Sequence, residues 1–135
     1  MGNISSIQKI NFEDMQHAIK NNYCIISTLS SDNQSCLIKG TLSCSEEENI
    51  INQYLSNTKS INIIIYGKHN SDISVFKKYT QLTKLRFTNV YIYIGGLFEW
   101  LCLQDIYGGE DFPTTSEELD ILKYKPSRIV LNNII

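Results

Sequence analysis

Short apolar runs alternate along this chain with apolar residues at helical spacing, which is typical of a sheet whose strands are connected by helices. The run at residues 61–66, Ile-Asn-Ile-Ile-Ile-Tyr, is almost continuous and rich in β-branched side chains, which favours a strand covered on both faces. We expect it to be an interior strand of a parallel sheet with helices on both faces. Other runs predict strands at residues 23–28, 36–42, 90–94 and, at an edge, 7–10.

Apolar residues at three- and four-residue spacing predict a helix after the strand at residues 61–66. Asp72 or Ser71 can cap it, and its expected apolar stripe comprises Ile73, Val75, Phe76, Tyr79, Leu82 and Leu85. The same reasoning predicts an earlier helix that opens at Asn11 or Asp14 and ends near Asn21, with Phe12, Met15 and Ile19 on its apolar side.

A helix of the middle region is expected to begin at Ser43 or Ser45, since Ser45 and Glu48 form a capping-box pattern. Its apolar side comprises Ile50, Ile51, Tyr54 and Leu55. Glu46, Glu47 and Glu48 are explained more simply as charges of the helix start than as a metal or acid–base cluster.

The chain beyond residue 106 is expected to be mostly loop. Ser116 can cap a last short helix through Leu122. Residues beyond Pro126 are apolar but unanchored, and residues 129–135 either pair at a sheet edge or are disordered. The predicted organisation is a terminus at residues 1–6, one domain at residues 7–126 and a tail at residues 127–135.

The expected functional site is the loop at residues 67–72, where an interior strand is followed by a helix. Its sequence is Gly67-Lys68-His69-Asn70-Ser71-Asp72. Backbone N–H groups and the positive end of the helix dipole converge at such loops, where open α/β sheets bind ligands. Lys68 and His69 favour weak anion binding, and the negative charge of Asp72 opposes it.

Gly95 and Gly96 follow the strand at residues 90–94 and permit a close backbone approach. We expect this pair at the rim of the same crevice, opposite the Gly67 loop.

The Gly67 loop contains no strong nucleophile. Ser71 has no base and orienting acid beside it in the sequence. His69 is the only candidate general base, and an exposed loop residue is the expected alternative. His17 is expected on the polar side of its helix, in solvent.

Composition narrows the classes of function. The 135 residues are enough for one core, and the net charge of −2 offers no basic face for a nucleic acid. The sequence contains no run of 18 apolar residues and no secretory signal pattern. We therefore expect a cytoplasmic protein that is at most peripheral on a membrane.

The four cysteines, Cys24, Cys36, Cys44 and Cys102, include no C-x-x-C pair, and the chain has two histidines. We expect neither a structural zinc nor another cofactor. Cys24 and Cys102 lie in apolar segments and are expected to be reduced core thiols.

The first six residues, Met-Gly-Asn-Ile-Ser-Ser, match the pattern for N-myristoylation of Gly2. A frayed polar terminus is the alternative. If Gly2 is acylated, the partners include a membrane surface.

Three local motifs resemble a single-domain rhodanese-like fold over roughly residues 7–100. Residues 89–100 are similar to the family's last strand, paired glycines and following helix with its tryptophan, here Trp100. Residues 37–41 resemble the family's His-Ile-Pro-Gly-Ala element, with Leu37 in place of the His and Lys39 in place of the Pro. The strand at residues 61–66 resembles the one that precedes the catalytic loop. The resemblance implies an α/β three-layer sandwich.

The same resemblance implies that the catalytic residues are missing. Gly67 stands where rhodaneses have the cysteine that carries the persulfide, and residues 27–29 lack the family's Asp-x-Arg pair. Related phosphatases require a Cys and an Arg around the loop, and residues 68–72 supply neither. The predicted function is therefore a catalytically inactive domain that binds or scaffolds an unidentified protein partner.

The alternative is a sulfurtransferase or other thiol enzyme whose nucleophile has moved to Cys36 or Cys102, the thiols nearest the rim by sequence. Trp100 is a residue type enriched in binding hot spots. Its helical spacing with Leu97 and Leu101 predicts a core position instead.

Overall fold

The computed structural model describes residues 7–133 and contains one sheet of four parallel strands. The predicted acylation site, Gly2, lies outside the described residues. The strands are β1 (Lys9–Ile10), β2 (Cys24–Ser27), β3 (Asn62–Tyr66) and β4 (Asn89–Tyr93), in the order β1-β4-β3-β2. β3 therefore pairs with β2 on one side and β4 on the other, which confirms the predicted interior strand.

Helices cover both faces of the sheet. They are α1 (Phe12–Lys20), α2 (Cys44–Asn57), α3 (Ser74–Lys84) and α4 (Gly96–Tyr107). The short α5 (Val130–Asn133) has no buried residue, and single 3₁₀ turns lie at Ser31–Asn33 and Ile121–Tyr124. α1 and α4 contribute to one core cluster, and α2 and α3 contribute to the other. The predicted three-layer α/β sandwich is confirmed.

Alternation of side chains along β3 assigns its apolar residues to the two cores. Ile64 and Tyr66 belong to the α1/α4 side, whereas Ile63 and Ile65 belong to the α2/α3 side. All four side chains are buried. Because both faces are covered, the strand has no polar side, and this explains its continuous apolar sequence.

Several local predictions agree with the structure. Asn11 caps α1 in a capping box, in which its Oδ1 accepts the Asp14 N–H at 3.0 Å and the Asp14 carboxylate accepts the Asn11 N–H. His17 is exposed and packs edge-on against Tyr23. Trp100 is fully buried and donates its indole N–H to the Pro113 carbonyl at 3.1 Å, so it is a core residue.

The predicted strand at residues 36–42 is wrong. This segment makes only two isolated bridges, Ile25 with Thr41 and Ile38 with Thr114. A turn in which the Thr41 N–H bonds to the Ile38 carbonyl, with Gly40 at a φ of +91°, interrupts it. The backbone of residues 37–39 instead pairs with residues 113–115.

Other predictions need correction at helix ends. Of the two predicted starts of α2, Ser43 is confirmed as the N-cap residue, whereas Ser45 lies inside the helix, so the capping box with Glu48 is wrong. The Ser43 hydroxyl donates to the Glu46 carboxylate at 2.8 Å instead of bonding to the helix backbone. Ser116 starts no helix, because its hydroxyl bonds to the Ser35 carbonyl at 2.6 Å. Residues 130–133 form a short helix instead of an edge strand.

Ile73 does not belong to the apolar stripe of α3, since it is 79% exposed. It occupies the N-cap position of α3, so the predicted cap at Asp72 or Ser71 is wrong, although Asp72 accepts the Ser74 N–H from just before the helix. Among the helices of residues 7–133, none combines the length and apolar character required to span a bilayer.

Candidate functional site

The Gly67 loop leaves the carboxyl end of β3 and is held by the elements on both sides. Thr28, just after β2, donates its N–H to the Tyr66 carbonyl at 2.9 Å. From the first turn of α4, Leu97 donates to the Gly67 carbonyl and Phe98 donates to the Lys68 carbonyl, both at 2.9 Å. The amide groups that open α4 are therefore used to fix the loop.

The loop lies against Gly96. This residue has a φ of +70°, and a Cβ at its position would lie 2.8 Å from the Gly67 oxygen and 2.9 Å from the His69 nitrogen. Only glycine allows both this backbone conformation and this approach. A Cβ on Gly95 would overlap the Glu99 carboxylate, so both glycines are closely covered.

Asp72 folds back into its own loop. Its Oδ2 accepts the Lys68 N–H at 2.9 Å, and its Oδ1 accepts the N–H and the hydroxyl of Ser74 at 3.1 and 2.6 Å. The Ser74 hydroxyl lies 2.7 Å from that of Thr28. Burial disfavours the carboxylate, but the hydrogen bonds from Lys68 and Ser74 outweigh it, and the pKa of Asp72 is lowered.

The Asp72 carboxylate fills the space beside Gly67. A Cβ at Gly67 would lie 2.6 Å from the Asp72 Oδ2, 2.9 Å from its Cγ and 3.0 Å from the Val75 Cγ1. Any side chain at position 67 would require Asp72 to move. The Asp72 carboxylate thus occupies the part of the loop where the sequence predicted weak binding of an external anion.

The remaining loop residues form no nucleophile–base pair. His69 is half-buried, and its Nδ1 lies 3.1 Å from the Ser71 nitrogen as the acceptor of that N–H. This bond leaves only Nε2 for proton transfer to a ligand. Asn70 and Ser71 are exposed, whereas Lys68 is half-buried.

Two tyrosines at the strand ends were missed as site residues by the sequence reasoning. The Tyr66 hydroxyl accepts the Ile38 N–H at 3.1 Å and lies 2.8 Å from the Thr41 hydroxyl. Burial raises its pKa strongly. Tyr66 therefore links the loop strand to the segment at residues 37–41. A polar aromatic residue directly after three isoleucines was the available signal.

Tyr93, at the end of β4, donates its hydroxyl to the Glu99 Oε1 at 2.6 Å. Burial and the adjacent Glu99 carboxylate raise the pKa of Tyr93 strongly. The phenol therefore remains neutral at physiological pH and keeps the proton that it donates to Glu99.

Cys24 and Cys36 are buried. Burial, and then the negative charge of Glu47, raises the pKa of Cys24 to about 11. Cys36 lies close to the Ser116 carbonyl, with 3.3 Å between its Sγ and that oxygen. Neither thiol is accessible to a substrate.

Cys102 differs, because the expectation that it is a core thiol is wrong. Its side chain is partly exposed and lines a groove together with Asn70, Gly95 and Phe98. Burial, followed by the charges of Asp105 and Glu99, raises its pKa. Within residues 7–133 no cluster of His, Cys, Asp or Glu is arranged to hold a metal ion.

Comparison with known proteins relates this architecture to solved structures. The Alr3790 protein from Anabaena sp. superposes with a TM-score of 0.56 at 18% identity, over 84% of this chain and 97% of that one. A thiosulfate sulfurtransferase from Pseudomonas aeruginosa gives 0.55 at 19% identity, over 71% of this chain and 19% of the other.

An uncharacterized protein from Saccharomyces cerevisiae has a TM-score of 0.56 at 14% identity, with 78% of this chain and 96% of that one covered. At these identities the likeness concerns the fold alone. Among curated proteins no significant match is found. The family model of the rhodanese-like domain, however, matches residues 11–102. Since this match spans more than half of the sequence, the chain belongs to the rhodanese-like domain family.

Proposed function

We propose that this protein is a catalytically inactive rhodanese-like domain that works as a binding or scaffolding module. One observation carries the proposal: the Asp72 carboxylate lies 2.6 Å from the position of a Cβ on Gly67. The resemblance to rhodaneses puts the persulfide cysteine at this residue, and here the site holds a hydrogen atom and a neighbouring carboxylate.

The electrostatics of the loop support the same conclusion. A persulfide or a phosphate is an anion, and it would need the amide that Asp72 already occupies. The Asp72 charge would also repel the incoming anion at short range. His69 does not compensate fully, since its Nδ1 accepts the Ser71 N–H inside the loop.

Sulfur transfer from thiosulfate to cyanide tests the lack of catalysis. The wild-type protein should show no turnover above buffer, with an active thiosulfate sulfurtransferase as positive control. We expect Gly67→Cys to give at most a trace, because Asp72 crowds the new thiol and raises its pKa. Enzyme-like turnover by the purified wild-type protein would contradict the proposal.

For localisation we propose a cytoplasmic protein that associates peripherally with membranes through a myristoyl group on Gly2. The support is the amino-terminal sequence pattern. One acyl chain gives only reversible membrane binding. The protein partner bound by the domain would then supply the second attachment.

A thiol enzyme with a relocated nucleophile is the second candidate, because Cys102 shares a groove with Asn70 of the loop and Gly95 of the rim. Its raised pKa argues against it, since the thiolate is the reactive form. Alkylation by iodoacetamide across pH separates the two: Cys102 should react more slowly than free cysteine at pH 7. Fast alkylation, with sulfur transfer lost in Cys102→Ser, would favour the enzyme.

A further inference from the structure

A second groove lies away from the Gly67 loop, between α4 and residues 113–121. It encloses about 640 Å³. Its lining includes the apolar residues Leu101, Pro113, Ile121 and Leu119, and the last of these is 84% exposed. Asp105 and two neighbouring glutamates bring negative charge to the same groove. A groove with apolar contacts and an acidic border suits a segment that is both apolar and cationic.

The charge of this region is strongly one-sided. Residues 87–122 carry seven of the chain's 14 acidic residues and no Lys, Arg or His: the acids are Glu99, Asp105, Glu110, Asp111, Glu117, Glu118 and Asp120. Lys123 pairs with Glu118 at 2.7 Å. Within residues 7–133, neither Asp105 nor Glu117 has an ion-pair partner.

The complementary segment is the carboxyl-terminal tail. No acidic residue follows Asp120, whereas Lys125 and Arg128 do. Ile129, Val130 and Leu131 come next and are 71%, 75% and 52% exposed. Three consecutive aliphatic residues in solvent, directly after cations, constitute an apolar surface that its own domain does not cover.

Arg128 is partly oriented. Its Nε donates to the Asn132 Oδ1 at 2.8 Å, and the Asn132 amide donates to the Arg128 carbonyl at 2.9 Å. In the described part of the chain, its terminal guanidinium nitrogens have no carboxylate partner. Those nitrogens can bind one carboxylate with two parallel hydrogen bonds.

We propose that this tail docks in the groove of a second copy, whose tail occupies the first groove in return. Ile129, Val130 and Leu131 contact the apolar lining, and Lys125 and Arg128 face Asp105 and Glu117. Reciprocal exchange makes both contacts identical, as a twofold dimer requires. No residue of the Gly67 loop lines the acidic groove, so docking there does not depend on whether the loop is catalytic.

Sedimentation velocity of the full chain over about two decades of concentration tests the dimer. We expect a concentration-dependent monomer–dimer equilibrium that weakens as salt rises from about 0.05 to 0.5 M. Truncation after Pro126 should leave a monomer. A wild-type protein that stays monomeric at every concentration overturns the proposal. That result is expected if each tail fills the groove of its own chain, or if the groove binds a different peptide.

Charge exchange supplies the specific test. The groove variant Asp105→Lys/Glu117→Lys and the tail variant Lys125→Glu/Arg128→Glu should each weaken self-association at least about tenfold, because like charges then face each other. Mixed together they should form a heterodimer, since each groove then meets a tail of opposite charge. Asp32→Lys/Glu48→Lys, at exposed positions elsewhere with the same net change, is the matched control and should dimerise normally.

Thermal melts of every variant verify folding before association is compared. Dimers that form equally in the groove variant, or a mixture that fails to form heterodimers, would show that another surface is responsible.

Discussion

Asp72 determines the chemistry of the Gly67 loop at the scale of single residues. Its two oxygens accept three hydrogen bonds from Lys68 and Ser74, so the loop conformation depends on the carboxylate. These hydrogen bonds favour the ionised form of Asp72. The side chain therefore stabilises the folded state only while it carries its charge.

Asp72→Asn should therefore lower stability in a pH-dependent way. Because the folded-state pKa of Asp72 is lowered, its contribution is fully present above the unfolded pKa, about 3.9, and disappears as pH falls through the folded value. We expect a loss of about 1 kcal/mol at pH 7, given partial solvent screening. Urea unfolding at several pH values should show the difference from wild type shrinking below pH of about 4.

Asp32→Asn serves as a control for this measurement, because Asp32 is exposed. A difference between Asp72→Asn and wild type that persists unchanged to acid pH would mean that the charge is not what holds the loop.

Sequence reasoning found the position of the loop and its residue types but not the direction of the Asp72 side chain. Asp72 was predicted to cap α3 or to repel anions, and both descriptions are compatible with an outward carboxylate. Its inward position depends on the backbone path of residues 67–74, which brings the Lys68 N–H to it. That path is fixed by α4, through bonds from Leu97 and Phe98, and no local pattern encodes them.

At the scale of secondary-structure elements, the packing of α4 against the Gly67 loop depends on Gly96, its first residue. Gly96→Ala should destabilise the domain by about 2 kcal/mol or more, since the new Cβ would meet both the Gly67 carbonyl and the His69 amide at a positive φ. Gly108→Ala is the matched control: its φ is +104°, with no atom within 4 Å of the added Cβ. Denaturant midpoints of the two variants separate steric overlap from backbone strain. Equal losses of stability in the two variants would show that the contact of the new Cβ with the loop contributes nothing beyond backbone strain.

β3 provides a second test at this scale. Ile64→Asp should unfold the domain, because an unpaired carboxylate would be buried in a strand paired on both sides. Ile73→Asp, at a position 79% exposed, should melt near the wild-type temperature. Circular dichroism on both proteins checks this. A normal melt of Ile64→Asp would mean that the strand tolerates solvent.

The elements with strong local patterns, β2, β3, β4 and the first four helices, could be predicted from sequence. The segment at residues 36–42 could not, because its apolar residues pack in the core while its backbone pairs with residues 113–115. A strand-like apolar pattern indicates that the side chains are buried. It does not guarantee that the backbone pairs with a neighbouring strand.

For the whole molecule, the amino-terminal pattern predicts myristoylation of Gly2 when the protein is made in a eukaryotic cytosol. A single acyl chain, with an affinity of roughly 10⁴ M⁻¹, should divide the protein between membrane and cytosol. Mass spectrometry of the terminus and fractionation of wild type against Gly2→Ala measure this. Identical partitioning of the two proteins would show that Gly2 does not contribute to membrane binding.

The contact between Asp72 and the Gly67 position also constrains how this lineage could evolve. A mutation that introduces a cysteine at Gly67 places its Cβ against the Asp72 carboxylate, so it destabilises the fold before any catalytic activity can be selected. If Asp72 is replaced first, the Lys68 amide loses its acceptor, and no catalytic activity is gained in exchange. Each change is deleterious alone and useful only with the other. Under the proposed function, exchange of Gly67 for a cysteine is therefore opposed by epistasis between positions 67 and 72.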